Sequence, residues 1–567
     1  MSLPWHVPLE AAPNLKAKIS PPQPTLLKHY CKLKIHENPC EELQTGFMCD
    51  IGVNNRDPTT IQRLIASGMT VARLNMRDME PDACTQLIQS IRQAVYNYSA
   101  ELEYVYPLAL IVDVRGPDII TGDLKAGPRA TVELNQYDTI RLTTDTSWRD
   151  CGTADCLYIG YDDLTDLQSG DLVYIDSLTS GKIKLIVTDV GDDSVECKID
   201  VGGTIGPKMT VIISHIPHEI DNSRNGQGDS LKSISCSDSS QKPFEHMNEQ
   251  IAWGVASDID AVLIPNAQNS YDVRQVRDML AEKGKHILVF ACIDTALGFD
   301  NIDDILKEAD GIYLDRAVLS TDLPVEKIFI AQKILIAKCN EVGKPCICKA
   351  VINEHIPTLC VTDLANLVID GADVLFLEMH YDSPLKKIAP SHDEIRMAEH
   401  CLAAAAVVCR HAERILWQPR IYGNMELMQS PLDEPTKALC VSAVELAMRS
   451  RAAVIFCLSN SGRTAKLLSH ARPPCPIVAV TRACHTARQL RFWRGVRAVH
   501  YIETGKKGCW ISEVEARILA GIDYCKAKRI LRAGDPYVIV SSSRRGVGYC
   551  DSVRLLFASG REVVPVE

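Results

Sequence analysis

The sequence is most informative first in what it lacks. No stretch approaches the ~20 apolar residues needed to cross a bilayer. The longest run of small apolar residues, Cys401 to Cys409, closes on Arg410. No basic excess exists either: 61 Lys+Arg stand against 72 Asp+Glu, a formal net charge of −11, which gives no electrostatic draw toward nucleic acid or anionic lipid. The 22 cysteines contain no CxxC pair, and the first residues, MSLPWHVPLEAAPNLKAK, show no basic segment followed by an apolar one. The expectation is a cytoplasmic chain with reduced thiols, most of them buried as small hydrophobes, and with neither nucleic acid nor membrane as partner.

A chain of 567 residues is too long for one core and should hold about three domains. Residues 1–45 are Pro-rich and read as an arm with one helix. Apolar strand-like runs then alternate with amphipathic segments. The strand candidates are Phe47–Gly52, Thr70–Met76, Leu108–Asp113, Ala261–Pro265, His286–Asp294, Gly311–Asp315, Pro345–Val351 and Asp373–Glu378. Eight such units in succession predict an α/β fold, a (β/α)8 or TIM barrel, with its active site at the carboxyl ends of the strands.

The spacing breaks once, after Asp113. Short β runs follow at Ala130–Leu134, Asp171–Ile175, Lys182–Val187, Ser194–Ile199 and Thr210–Ile213, which predict a small inserted β-barrel domain. A polar stretch, 222–241, leads back and reads as flexible. After the eighth strand comes a helical region from Ser391 to about Trp417, then strand candidates at Ala453–Leu458, Pro476–Val480, Ala498–His500 and Tyr537–Ser541, an open α/β domain. The expected divisions are 1–45, 46–116 with 218–412 for the barrel, 117–217 for the insert and 413–567 for the terminal domain.

The stretch 108–122, LALIVDVRGPDIITG, joins these parts. Its first half is a buried parallel strand that delivers one carboxylate, Asp113, and the turn at Gly116-Pro117 sends the chain into the insert. The Asp113 charge calls for a cationic partner.

This order of domains resembles that of the pyruvate kinases, and so do the words SGMTVARLN (67–75), DVRGPDIITG (113–122), EADGIYLDR (308–316), LVIDGAD (367–373), SGRTA (461–465) and PIVAVTR (476–482). The resemblance covers about residues 45–567. It implies phosphoryl transfer from phosphoenolpyruvate to ADP, assisted by Mg²⁺, K⁺ and a lysine facing the phosphoryl group, a chemistry of charge neutralisation. It implies a homotetramer as well, or a hetero-oligomer with an active relative.

Carried over residue by residue, the resemblance gives Arg73 as the phosphate-facing arginine and Asn75 as a monovalent-cation ligand. The cation serine becomes Arg77; Asp113 keeps the cation carboxylate, beside Val114 in place of a threonine. The reading of these residues pairs Arg77 with Asp113 as a fork-shaped ion pair in place of the ion. The nucleotide-side arginine is Ile120. The catalytic lysine is Cys292, with Asp294 as the remaining metal carboxylate, and Val318 stands at the second metal position. The threonine linked to proton transfer is Ala350; Glu354 matches. A rearranged site would draw on Asp294, Asp315 and Lys349, although strand alternation puts Lys349 opposite Ala350. A third possibility is a different chemistry centred on the Cys292 thiol, which would need a base nearby. Barrel-building residues such as Gly68, Leu74, Gly116, Pro117, Gly343 and Pro345 stay in register, so the fold reads as kept and the catalytic centre as degraded.

In the terminal domain Ser459, Asn460, Ser461, Gly462, Arg463 and Thr464 follow a strand and open a helix. By resemblance this loop binds a sugar-bisphosphate effector; the alternative is a helix cap from Ser461 with Thr464. The expected ligand is phosphoenolpyruvate with ADP, or another phosphometabolite.

Overall fold

The computed structural model describes residues 25–559, apart from 41, 53–54, 77–80, 103, 117–118, 128–129, 162–163, 165–166, 179–181, 192, 215–244, 353–356, 380–391, 418–434, 503–509 and 545–547. Eight parallel strands close into a barrel: β1 (Gly46–Asp50), β2 (Val71–Asn75), β3 (Ala109–Asp113), β12 (Ala261–Ile264), β13 (Leu288–Ile293), β14 (Gly311–Leu314), β15 (Cys346–Ile352) and β16 (Val374–Met379). Each is a nearly unbroken apolar run because both of its faces are covered.

Alternation along the strands separates two apolar layers. Met48, Val71, Ile111, Leu263, Phe290, Cys292, Tyr313, Ile347 and Phe376 fill the barrel interior. Phe47, Ala72, Val112, Val262, Ala291, Leu314, Ala350 and Leu377 pack outward against the helices. Each fully buried aliphatic or aromatic side chain contributes roughly 1.5–3 kcal/mol. Helix ends are set locally. The helix Ser270–Leu280 opens on an Asn269–Asp272 capping box. The helix Ile328–Val342 stops at Gly343, whose φ of 73° is left-handed and where a Cβ would come within 2.8 Å of the His470 ring.

Between β3 and β12 lie β4 (Val132–Leu134), β5 (Thr139–Thr143), β6 (Cys156–Tyr158), β7 (Leu172–Asp176), β8 (Lys182–Val190), β9 (Ser194–Val201), β10 (Gly203–Ile205) and β11 (Val211–Ser214). They form a six-stranded sheet in the order β11-β7-β8-β9-β5-β6 and a two-stranded sheet β10-β4, around one apolar core. β5, β6 and β10 escaped the sequence reading. The expected polar return, 222–241, lies outside the described residues.

The terminal sheet runs β19 (Val496–His500), β18 (Ile477–Thr481), β17 (Val454–Leu458), β20 (Pro536–Ser541) and β21 (Ser552–Phe557), the last antiparallel. Its core is continuous with the barrel interior, with the Phe290 and Phe492 rings 4.8 Å apart. The arm contributes the helix Leu26–Cys31. Most of the cysteines among the described residues are buried, as expected. No helix among the described residues is long and apolar enough to cross a membrane.

Candidate active site

The carboxyl ends of the barrel strands carry a ring of charged side chains. Register places Arg73 beside Asp50 on β1, and Asn75 beside Asp113 on β3. The Arg73 guanidinium donates to Asp50 Oδ1 at 2.7 Å and forms an ion pair with Asp113, which is only 1% exposed. It also lies over the Phe376 ring, 4.9 Å from the centroid. The two carboxylates overcome the penalty of burial and hold Arg73 well above the ordinary guanidinium range. Asp113 thus has a guanidinium partner, and it comes from Arg73; Arg77, the expected one, lies outside the described residues. Val114 is fully buried and its backbone N–H donates to Leu263 O at 3.3 Å. Its side chain offers no oxygen to a monovalent cation. With one Asp113 oxygen bound to a guanidinium and no hydroxyl at position 114, the described side chains offer K⁺ a poorer shell than the family resemblance asks for.

At the end of β13, Cys292 is 4% exposed among apolar interior side chains, paired in register with Tyr313. Asp294 is buried and accepts a hydrogen bond at 3.0 Å from Lys182 Nζ, a residue of the inserted domain. Its other oxygen, Oδ1, has no hydrogen-bond partner. Two residues along β8, Lys184 makes a second inter-domain pair with Asp322 at 3.3 Å. Lys182 and Lys184 share a face through the strand period, and that face meets the barrel mouth. Sequence reasoning missed both. Their only signal is the alternation Lys-Ile-Lys-Leu, with charge on the face opposite the buried Ile183 and Leu185.

Asp315 caps the short helix Arg316–Leu319, accepting from Ala317 N at 3.1 Å through Oδ1. Its Oδ2 accepts from Lys349 Nζ at 2.9 Å, and Lys349 also pairs with Glu378 at 3.1 Å. Burial works against the Lys349 charge, but the two carboxylates outweigh it and hold its ammonium above the usual lysine range. Lys349 follows the inner-face residue Ile347 by two, whereas Ala350 packs in the outer layer. Alternation separates the two as expected, and the side that faces the mouth is that of Lys349. Arg316 makes a bidentate pair with Asp363, at 2.5 and 2.6 Å, and closes this corner. Val318 is half-buried and brings no side-chain oxygen. Glu354 lies outside the described residues. Ile120, half-buried, bridges to Thr210 at the entry of the insert, where an aliphatic side chain gives no phosphate contact.

Among the described residues no group of three or more His, Cys, Asp or Glu side chains is placed to hold a metal ion. Mg²⁺ asks for several hard oxygen ligands in octahedral array. The one carboxylate expected here, Asp294, is already neutralised by an ammonium, so the donor set does not fit.

In the terminal domain, the helix Arg463–His470 begins at Gly462, whose φ of 76° is left-handed, without any side-chain cap hydrogen bond. The expected cap from Ser461 and Thr464 is therefore not made; Thr464 instead meets Cys550 Sγ at 3.4 Å. Ser459 is buried, while Asn460, Ser461 and Arg463 are exposed. The Asn460 carbonyl accepts from Thr486 Oγ1 at 2.9 Å, and Asn460 Oδ1 accepts from the buried Arg517 at 3.3 Å. The loop is held from below, with its polar groups outward. Trp510 Nε1 donates to Ser542 O at 3.1 Å, which ties the neighbouring loop to the same edge.

Known proteins agree with this architecture part by part. The family model described as pyruvate kinase, barrel domain, matches residues 43–380, and that described as pyruvate kinase, alpha/beta domain, matches residues 437–556. Pyruvate kinase PKLR of Rattus norvegicus is 30% identical over 542 residues, covering 94% of this chain and 88% of its own length. Pyruvate kinase 1 of Trypanosoma brucei brucei is 31% identical over 539 residues, covering 94% of this chain and 99% of its own. The pyruvate kinase of Leishmania mexicana is 30% identical with the same two coverages, 94% and 99%. With the closed barrel, the β insert, the terminal α/β sheet and both family domains matched in order, the chain belongs to the pyruvate kinase family.

Proposed function

We propose that this chain keeps the pyruvate kinase scaffold and its affinity for phosphorylated metabolites while transferring phosphoryl groups from phosphoenolpyruvate to ADP weakly or not at all. The observation that carries the reading is Cys292. A thiol sits in the apolar barrel interior where the family resemblance asks for a lysine ammonium. A neutral thiol cannot stabilise charge on the transferring phosphoryl group or on a developing enolate, and losing one such stabiliser costs roughly 10²–10³ in rate. Val318 and Ala350 add the loss of a metal carboxylate and of a hydroxyl. The chain would act in the cytoplasm as a phosphometabolite-binding subunit, in a homotetramer or beside an active relative. The 459–464 loop would take a sugar bisphosphate on its outward polar groups.

A second reading is favoured by one observation: the Lys349 ammonium reaches the mouth between Asp315 and Glu378. On that reading the enzyme is active, with Lys349, Asp315 and Asp294 as a rearranged site. A coupled assay of the purified chain with phosphoenolpyruvate, ADP, Mg²⁺ and K⁺ separates the two. Turnover near or above about one per second, ordinary for enzymes, supports the second reading, and turnover orders of magnitude below it supports the first.

A further inference from the structure

We propose that the ammonium of Lys182 takes the place of the divalent cation at Asp294, so that the inserted domain itself carries the mouth's cation. The proposal rests on the preceding reading only in taking the mouth to work without a bound divalent ion.

Three observations support it. The pair is dry: both side chains are 5% exposed, and Nζ lies 3.0 Å from Oδ2. It is doubled, because Lys184 reaches Asp322 at 3.3 Å from the same strand face, and Asp322 is itself fixed by accepting from Ala296 N at 2.7 Å. Moreover, Val318 leaves Asp294 without the second carboxylate that a divalent ion would share. A Mg²⁺ ion entering beside Asp294 would meet the Lys182 charge at short range in a poorly screened setting. To bind, it would have to expel the ammonium and leave it buried without a partner, which strongly opposes exchange.

The facing groups fit a cation carried by the protein. Around the mouth Arg73, Lys182 and Lys349 face Asp50, Asp113, Asp294, Asp315 and Glu378. Each of the three cations engages at least one carboxylate. Asp294 Oδ1 is buried and has no hydrogen-bond partner among the described residues. Because Lys182 belongs to the insert, the cation is present at Asp294 only while the insert lies on the barrel. Closure and charge neutralisation thus become one event, which needs no metal.

The test uses the full-length protein and two readouts independent of turnover. Electron paramagnetic resonance of free Mn²⁺ should show no saturable site involving Asp294 in the wild type. A one-to-one site that disappears in Asp294→Asn would overturn the proposal. Amide exchange across residues 182–190 should be the same with Mg²⁺ as with a chelator, and about tenfold or more faster in Lys182→Met, with Lys182→Arg near wild type. Protection that rises with Mg²⁺ in the wild type, or that is unchanged in Lys182→Met, would contradict it. If Lys182→Met does not fold, Asp294→Asn removes the partner instead and should show the same faster exchange. The coupled assay stands apart: an active wild type would sink the proposed loss of turnover and leave the Lys182 result to be judged by these two measurements.

Discussion

Arg73 shows how much one side chain carries at the barrel mouth. Its guanidinium neutralises carboxylates on two neighbouring strands and stacks on an aromatic ring of a third. Replacing it by methionine takes the cation from the buried Asp113, and breaking a buried pair from one side costs about 3–5 kcal/mol. Arg73→Met should therefore lower the urea midpoint at constant slope, with most of the loss recovered in Arg73→Met/Asp113→Leu. A smaller loss would mean that Asp113 is held mainly by other groups. At Cys292 the expectation runs the other way. Adding back lysine there and aspartate at Val318 leaves Asp294 tied to Lys182, and Val114 and Ala350 without hydroxyls. Cys292→Lys/Val318→Asp should thus stay below about 1% of ordinary enzyme turnover in the coupled assay. At this scale the sequence was legible where a residue acts through its own strand. Asp113 could be read as a buried carboxylate at a strand end in need of a cation. That the cation is Arg73 could not, because the choice between two arginines on one segment depends on barrel geometry.

Among the elements, β15 and β8 decide what enters the mouth. Alternation on β15 sends Ile347 and Lys349 inward and Ala350 outward. Lys349→Met would leave Asp315 and Glu378 facing one another without their shared cation, a like-charge contact that destabilises. The thermal midpoint should fall by a few °C. If the rearranged site is the working one, the same variant should also lose at least about 10²-fold in turnover, while on the preferred reading there is little turnover to lose. The eight barrel strands were legible because strands covered on both faces are nearly continuous apolar runs. The missed strands differ in kind. β21 is largely exposed along its length, and β6 and β10 are three residues each, too short for alternation to show, whereas β5 does alternate, with Ile140 and Leu142 buried, and was missed all the same. Lys182 and Lys184 were readable as strand residues only. Their role depends on how the insert folds back over the barrel, a long-range contact that no local pattern encodes.

For the whole molecule, the barrel and terminal domain share a core and a polar seam. Asp260, fully buried at the base of β12, accepts from Arg488 Nε at 2.8 Å and from Leu110 N at 2.9 Å. Burial raises its carboxyl to about 7, against the opposing pull of Arg488. A carboxyl raised in the folded state binds its proton more tightly there than in the unfolded chain. Its contribution to stability is therefore full below the ordinary aspartate range and is lost as pH rises toward 7. Asp258, His286 and His485 lie on the same seam, so the comparison is with Asp260→Asn. That variant should lose the decline in stability between about pH 4 and pH 7 that Asp260 causes in the wild type, read from denaturant midpoints across that range. An unchanged pH profile would mean that Arg488 keeps the carboxylate charged in the fold. The seam joins the terminal domain to a barrel whose described mouth cations, Arg73, Lys182 and Lys349, are each paired with a carboxylate, and on the proposed reading such a mouth transfers phosphoryl groups poorly. The most direct measurement is the steady-state coupled assay of purified protein with phosphoenolpyruvate, ADP, Mg²⁺ and K⁺, run beside an active relative. Turnover at least about 10²-fold below one per second is predicted, and a rate at or above about one per second would contradict a loss of phosphoryl transfer.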